Sequence, residues 1–263
     1  MELDAEFLKK SILVLSVSLP RMLVMFGVMP FFGSGMMQVM VRNTLVVCLG
    51  LGVYPLVFTQ LPDEIRLLPW MMVIAKEAML GVVLGYLGAS LFWVAEGVGL
   101  FIDNQRGASM AQMMDPMSGV ESSPLGSLLM QVLTVLFFTT GGFLVFLGGI
   151  YESYQVWPVF SAAPALDAHF AEVMIQHSAR IIEMIVLFAA PIVIAVFVAE
   201  FGLGLINRFS PQLNIFFLSM SIKSVLAIVF LIAYMVTLLT MFDGEQRNLW
   251  QHLMNLDHVL KVP

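Results

Sequence analysis

Charge is what this sequence has least of. Of its 263 residues, 11% are Asp, Glu, Lys or Arg and 60% are hydrophobic. A soluble domain keeps roughly a quarter of its residues charged. The mean hydropathy of +0.94 points the same way: most of the surface must face lipid or other apolar protein. The formal net charge of -6 is a dilute acidic bias and gives no footprint for nucleic acid, which calls for a basic patch. Cysteine is nearly missing as well. Cys48 is the only one, so no internal disulfide can form, and its apolar surroundings read as those of a small buried side chain. Catalytic signatures are lacking too. The sequence holds no HExxH, GxSxG or P-loop pattern,. His169 and His177, and His252 and His258, have no metal-ligand company. Gly97-x-Gly99 sits inside an apolar run rather than after a strand, so it is no dinucleotide fingerprint. An intramembrane enzyme would need a catalytic set that is not visible. The reading is therefore a protein that is not an enzyme and has no cofactor and no metal.

Long apolar runs are what the sequence does have. Six stand out, at approximately Ile12–Met29, Met37–Phe58, Met71–Ile102, Leu128–Ile150, Ile181–Ile206 and Leu213–Phe242. A helix needs about 20 residues to cross a bilayer. The runs do not alternate strictly between apolar and polar residues, which argues against a barrel. In lipid a continuous apolar run must satisfy its own backbone, so helix is the default. The expected fold is all-α: a polytopic membrane protein of about six long apolar helices arranged as helical hairpins, with a Met-rich loop between the third and fourth. Residues 1–242 read as one helical domain with an inserted loop at 103–127, and 243–263 as a polar C-terminal tail. No cleavable signal peptide is evident, so the first run is expected to stay as a helix. The positive-inside signals conflict: residues 151–178 hold no Lys or Arg, yet Lys9, Lys10, Arg247 and Lys261 fall on the same side in a six-span layout,.

Two internal patterns bear on function. Val94-Ala95-Glu96-Gly97-Val98-Gly99-Leu100-Phe101-Ile102 is echoed by Val198-Ala199-Glu200-Phe201-Gly202-Leu203-Gly204-Leu205-Ile206, each copy followed by an arginine and then a proline. Chance likeness between two Gly-rich helices is the competing reading. In the third run Gly81 and Gly85, then Ala95 and Gly99, are spaced for close helix packing, with Gly88 adding to the same Gly-rich surface,.

The segment 103–126 is the most informative stretch. It mixes helix breakers with Met110, Met113, Met114 and Met117. Methionine is flexible and polarizable, so it can seal an irregular gap. Irregular backbone at membrane depth is tolerated only where it is buried in protein or lines a cavity. A plug in a conduit and a surface loop packed on a neighbouring helix both fit these residues. Charges inside the apolar runs come next: Lys76, Glu77, Glu96, Glu183, Glu200 and Lys223. Such groups are costly in lipid and face protein or water. They read as buried charges for assembly, with Lys223 a possible partner of Glu96 or Glu200. An ion-coupled small-solute transporter using Glu96, Glu200 and Lys223 is the alternative.

Three stretches resemble the R/T subunit family of the type III secretion export apparatus. The first is Lys76-Glu77 followed by Gly81 and Gly85. The second is Gly99 through Ile102-Asp103-Asn104-Gln105-Arg106-Gly107, continuing to Asp115-Pro116 and Ser123-Pro124-Leu125-Gly126. The third is Asn207-Arg208-Phe209-Ser210-Pro211-Gln212-Leu213-Asn214-Ile215-Phe216, ending near Lys223. The resemblance covers nearly the whole chain. Tyr151-Glu152-Ser153-Tyr154 with Trp157-Pro158 looks more like the injectisome (virulence) branch than the flagellar one. The resemblance implies a multi-pass protein of the bacterial inner membrane, within the secretion-system basal body. Its implied partners are P/R-type and Q/S-type export-gate subunits in a hetero-oligomer, other export apparatus proteins, and unfolded secreted polypeptides in transit. It also implies that an inward loop helps to close the pore. By position that loop is 106–121, with Arg106, Gly107, Met110, Met113, Met114, Asp115, Pro116, Met117, Gly119 and Glu121 as its gate residues. The methionines would form the seal, Arg106, Asp115 and Glu121 would anchor it, and Gly107 and Gly119 would permit its turns.

Overall fold

The structure, a computed structural model, describes residues 2–33, 37–62, 67–108, 123–161, 168–209 and 215–254. Those residues are almost entirely helical. α1 runs Glu2–Val28 and is followed by a 3-10 turn at Pro30–Phe32. α2 (Val39–Gly50) and α3 (Tyr54–Phe58) come next, then the long α4 (Leu67–Arg106). α5 (Pro124–Thr139) and α6 (Gly142–Val156) lead to two further long helices, α7 (Ala168–Phe209) and α8 (Ile215–Met254). α8 passes through Asp243 without a break.

Four of these helices are long and apolar enough to cross a membrane, or up to five if α5 and α6 together form one broken span. The count differs from the six long helices expected, for two local reasons. In the second run the chain turns at 51–53 and restarts with Pro55 in the first turn of α3, where its missing N–H costs nothing,. The run splits into helices of 12 and 5 residues. In the fourth run Gly141 takes φ 80°, in the left-handed region, and α6 starts from it. A single left-handed residue ends one helix and re-aims the next.

The chain divides into two compact units. The first comprises residues 1–90, 141–171 and 247–263. Its core is built on α1, whose Val14, Val17, Met22, Met25 and Phe26 are buried, as is Met29 just after it. Gly81 and Gly85 of α4 lie against the α1 backbone at Arg21 and Met25, so close that a methyl group at either would press on a carbonyl oxygen. This is the tight helix approach that small residues at i, i+4 permit. Phe146 of α6 closes the core edge-on to Phe26, with ring centroids 6.1 Å apart. Cys48, expected to be buried, is exposed on α2.

The second unit comprises residues 91–140 and 172–246. Here α7 and α8 lie antiparallel. Arg180 reaches Glu245, Phe188 packs edge-on to Phe242 at 5.2 Å, and Glu200 meets Lys223. Both helices leave large apolar side chains open, among them Ile194, Phe197, Val225, Ile232 and Val236. A continuous exposed apolar surface of this kind belongs against lipid or another protein.

Candidate functional site

Within the first unit three charged side chains converge where α6 ends. Arg21 and Glu77 are both fully enclosed, at 0% exposure. They meet as a bidentate pair: Arg21 Nε donates to Glu77 Oε2 at 2.8 Å, and Nη2 donates to Oε1 at 3.1 Å. The guanidinium also donates to the carbonyls of Ser153 (2.7 Å) and Trp157 (2.8 Å) and to the Ser153 hydroxyl (3.0 Å). Its carbon lies 4.1 Å from the centre of the Tyr154 ring, a cation–π distance. Lys76 Nζ stands 3.1 Å from Glu77 Oε1 and donates to the carbonyls of Pro158, Val159 and Ser161. The buried cluster thus holds two cations and one carboxylate. The last carbonyls of a helix have no intrahelical donor and carry partial negative charge. Arg21 adds a second donor to the Ser153 carbonyl, which already accepts from Trp157 N–H at 3.0 Å. The other accepting carbonyls, of Trp157, Pro158, Val159 and Ser161, lie just past the end of α6, and their partial negative charge offsets the excess positive charge of the cluster.

Lys76 and Glu77 stood out in the sequence, but Arg21 did not. The available signal was a lone arginine in the middle of the first apolar run. Of the other intramembrane charges, Lys223 is buried and lies 3.2 Å from Glu200. Glu96, Glu183 and Glu200 are exposed on the chain rather than buried in it. Glu183 pairs with Arg180 at 3.0 Å.

In the second unit the two ends of the segment at 109–122 are held together. Asp103, on the last turn of α4, is 3% exposed. Its Oδ1 accepts from Arg106 Nε at 2.7 Å. Its Oδ2 accepts from the Ser123 hydroxyl at 2.7 Å and from the Leu125 backbone N–H at 3.0 Å. Ser123 is the N-cap of α5, and its Oγ accepts from Gly126 N–H at 2.9 Å. A carboxylate and a serine thus share the free N–H groups at the start of α5, where the helix dipole favours negative charge. Pro124 follows at the start of the helix, where a missing N–H costs nothing. One turn before Asp103, Gly99 packs directly on the backbone of Leu125 and Gly126, leaving no room for a methyl group. Gly107 leaves α4 at φ 88°, a left-handed conformation that glycine adopts without strain. The result is a clasp that joins the end of α4 to the start of α5. Of the gate residues read from the sequence, Arg106 and Gly107 belong to it. Met110, Met113, Met114, Asp115, Pro116, Met117, Gly119 and Glu121 lie outside the described residues.

Geometry of this kind defines a helical multi-pass membrane protein whose buried polar groups join one helix to another. Sequence comparison supplies the family. Residues 12–249 match the model for bacterial export proteins, family 1. The chain is 37% identical over 237 residues to the Yop proteins translocation protein T of Yersinia pestis, covering 90% of this chain and 91% of that protein. It is 28% identical over 250 residues to the surface presentation of antigens protein SpaR of Salmonella typhimurium, covering 92% of each chain. It is 29% identical over 167 residues to the flagellar biosynthetic protein FliR of Bacillus subtilis, covering 63% of this chain and 64% of that one. The chain belongs to the first family of bacterial export proteins, the R/T-type membrane proteins of the type III secretion export apparatus. It is a multi-pass membrane protein of that apparatus and not an enzyme.

Proposed function

We propose that this chain is a subunit of the export gate in the bacterial inner membrane. It assembles there with P/R-type and Q/S-type membrane subunits and lines the entrance through which unfolded polypeptides pass. Segment 106–121 is the compliant seal of that entrance. The observation that carries this reading is the clasp at the loop base. Asp103 ties the end of α4 to the start of α5 through Ser123 and Leu125, and Gly99 locks the two helices backbone to backbone. A loop with a fixed base keeps its place while its tip re-packs. A tip rich in methionine is suited to closing around gaps of changing shape. Energy for transport comes from elsewhere in the machine.

Deleting Ala108–Met117 in the assembled complex tests the seal. The clasp residues stay in place, so the complex still forms, and the membrane becomes permeable to ions and small dyes. A complex that assembles with this deletion and leaves the membrane tight sinks the plug reading.

A further inference from the structure

Glu96 and Glu200 hold equivalent places in the internal repeat, but their surroundings differ. Glu200 is paired with Lys223 of α8 at 3.2 Å. Glu96 is exposed, and its carboxylate has no hydrogen bond or ion pair among the described residues. It lies on a helix long and apolar enough to span a membrane. A carboxylate left facing hydrocarbon is costly, and intramembrane acids ordinarily face a partner or water.

The surface beside it is concave and apolar. A groove of about 270 Å³ is lined by Gly97, Leu100, Phe101 and Asn104 of α4 and by Ile182, Ile185 and Val186 of α7. Gly97 lets Ile185 approach closely, which sets the floor of the groove. Leu100 follows Glu96 by one helical turn, so both share one face of α4. On the α7 side no charged side chain lines the groove, and the nearby Arg180 of α7 is taken up by Glu183 of α7 and Glu245 of α8.

We infer that the α4–α7 groove receives an apolar helix of another gate subunit, and that this helix carries a lysine or arginine that pairs with Glu96. The incoming cation does for Glu96 what Lys223 does for Glu200. Lipid would fill the apolar groove but would leave the carboxylate unpaired. A second copy of the same face would bring acid against acid. The inference rests on the gate reading and names the partner chemistry at one face of it.

The test uses the whole complex extracted from its own cells. A photocrosslinking amino acid is placed at Leu100 or at Val186 in the groove, and at Val236, exposed on α8, for comparison. The expected result is a covalent adduct from both groove positions to one helix of another membrane subunit. Sequencing of the adduct then shows a Lys or Arg within about two turns of the crosslink. Glu96→Lys lowers the yield of assembled complex about tenfold, and reversing the identified basic residue to Glu restores it. Because Glu96 is exposed, Glu96→Gln leaves the chain itself folded and gives a smaller loss. Adducts to lipid alone, to another copy of this chain, or to a helix without a basic residue overturn the inference while leaving the gate reading intact. A wild-type chain that extracts with no other subunit overturns the gate reading itself.

Discussion

Arg21 shows how far a single side chain can organise its surroundings. It touches Glu77 on α4, Ser153 and Tyr154 on α6, and the Trp157 carbonyl just beyond. The residue types were all visible in the sequence, but their convergence was not. Arg21 and Glu77 are 56 positions apart, and Arg21 and Ser153 are 132 apart. No local pattern links such positions. Asp103 and Ser123-Pro124 were visible as motif residues, but the inserted loop was expected to run to 127, whereas α5 starts at Pro124. What the sequence could not show is that the cap is shared with a carboxylate 20 residues earlier. Breaking a buried pair by removing one partner leaves an uncompensated charge and costs about 3–5 kcal/mol. Arg21→Met is therefore expected to lower the thermal midpoint of the detergent-solubilised chain sharply, and Glu77→Gln to do the same. The double variant should lose much less than the two single losses added together, because groups that act as a pair are not additive. Losses that add would show that the two residues act independently.

At the level of elements, long apolar runs made the helices easy to find, and backbone exceptions hid their breaks. Pro55 and Gly141 lie inside runs that average out as apolar, so a reading by composition passes through them. The small-residue spacing of α4 was more informative. Gly81 and Gly85 do face α1, and Gly99 does mark a close approach, in its case to the first turn of α5. Spacing alone could not say which helix each glycine meets. The tightness of the α4–α5 crossing can be measured with one methyl group. Gly99→Ala places a Cβ against the Leu125–Gly126 backbone and is expected to destabilise the chain by about 1–3 kcal/mol, the usual cost of overpacking. Gly148→Ala adds the same methyl group where nothing lies within 4 Å. It should be neutral or stabilising by up to about 1 kcal/mol, because alanine favours helix. Equal effects at the two positions would mean that the crossing is not close-packed.

For the whole molecule, scarcity of charge is the organising fact. Few charges exist, and in the first unit three of them are gathered at the end of α6. In the second unit Asp103 joins two helices, and Glu200 and Lys223 join two more. Glu96, Glu183 and Glu200 are exposed, and of these three Glu96 has no partner among the described residues. Large apolar side chains along α7 and α8 also remain uncovered by this chain. Such a molecule is finished only by its surroundings, lipid or other subunits. The sequence made the family legible because its motifs fall at the structural joints: Lys76-Glu77 at the end of α6, and Asp103 to Gly126 at the loop clasp. It could not make the partner faces legible, because an exposed apolar helix reads the same whether lipid or protein covers it.

The central claim, that this chain works as one part of a hetero-oligomeric gate, is tested most directly by native mass spectrometry of the tagged chain, gently extracted in detergent from its own cells. The account expects a single copy bound to several copies of two other small membrane proteins. A monomer or a pure homo-oligomer, under conditions that preserve other membrane complexes, would contradict it and favour an ion-coupled transporter, with Glu96 and Glu200 as the first residues to neutralise.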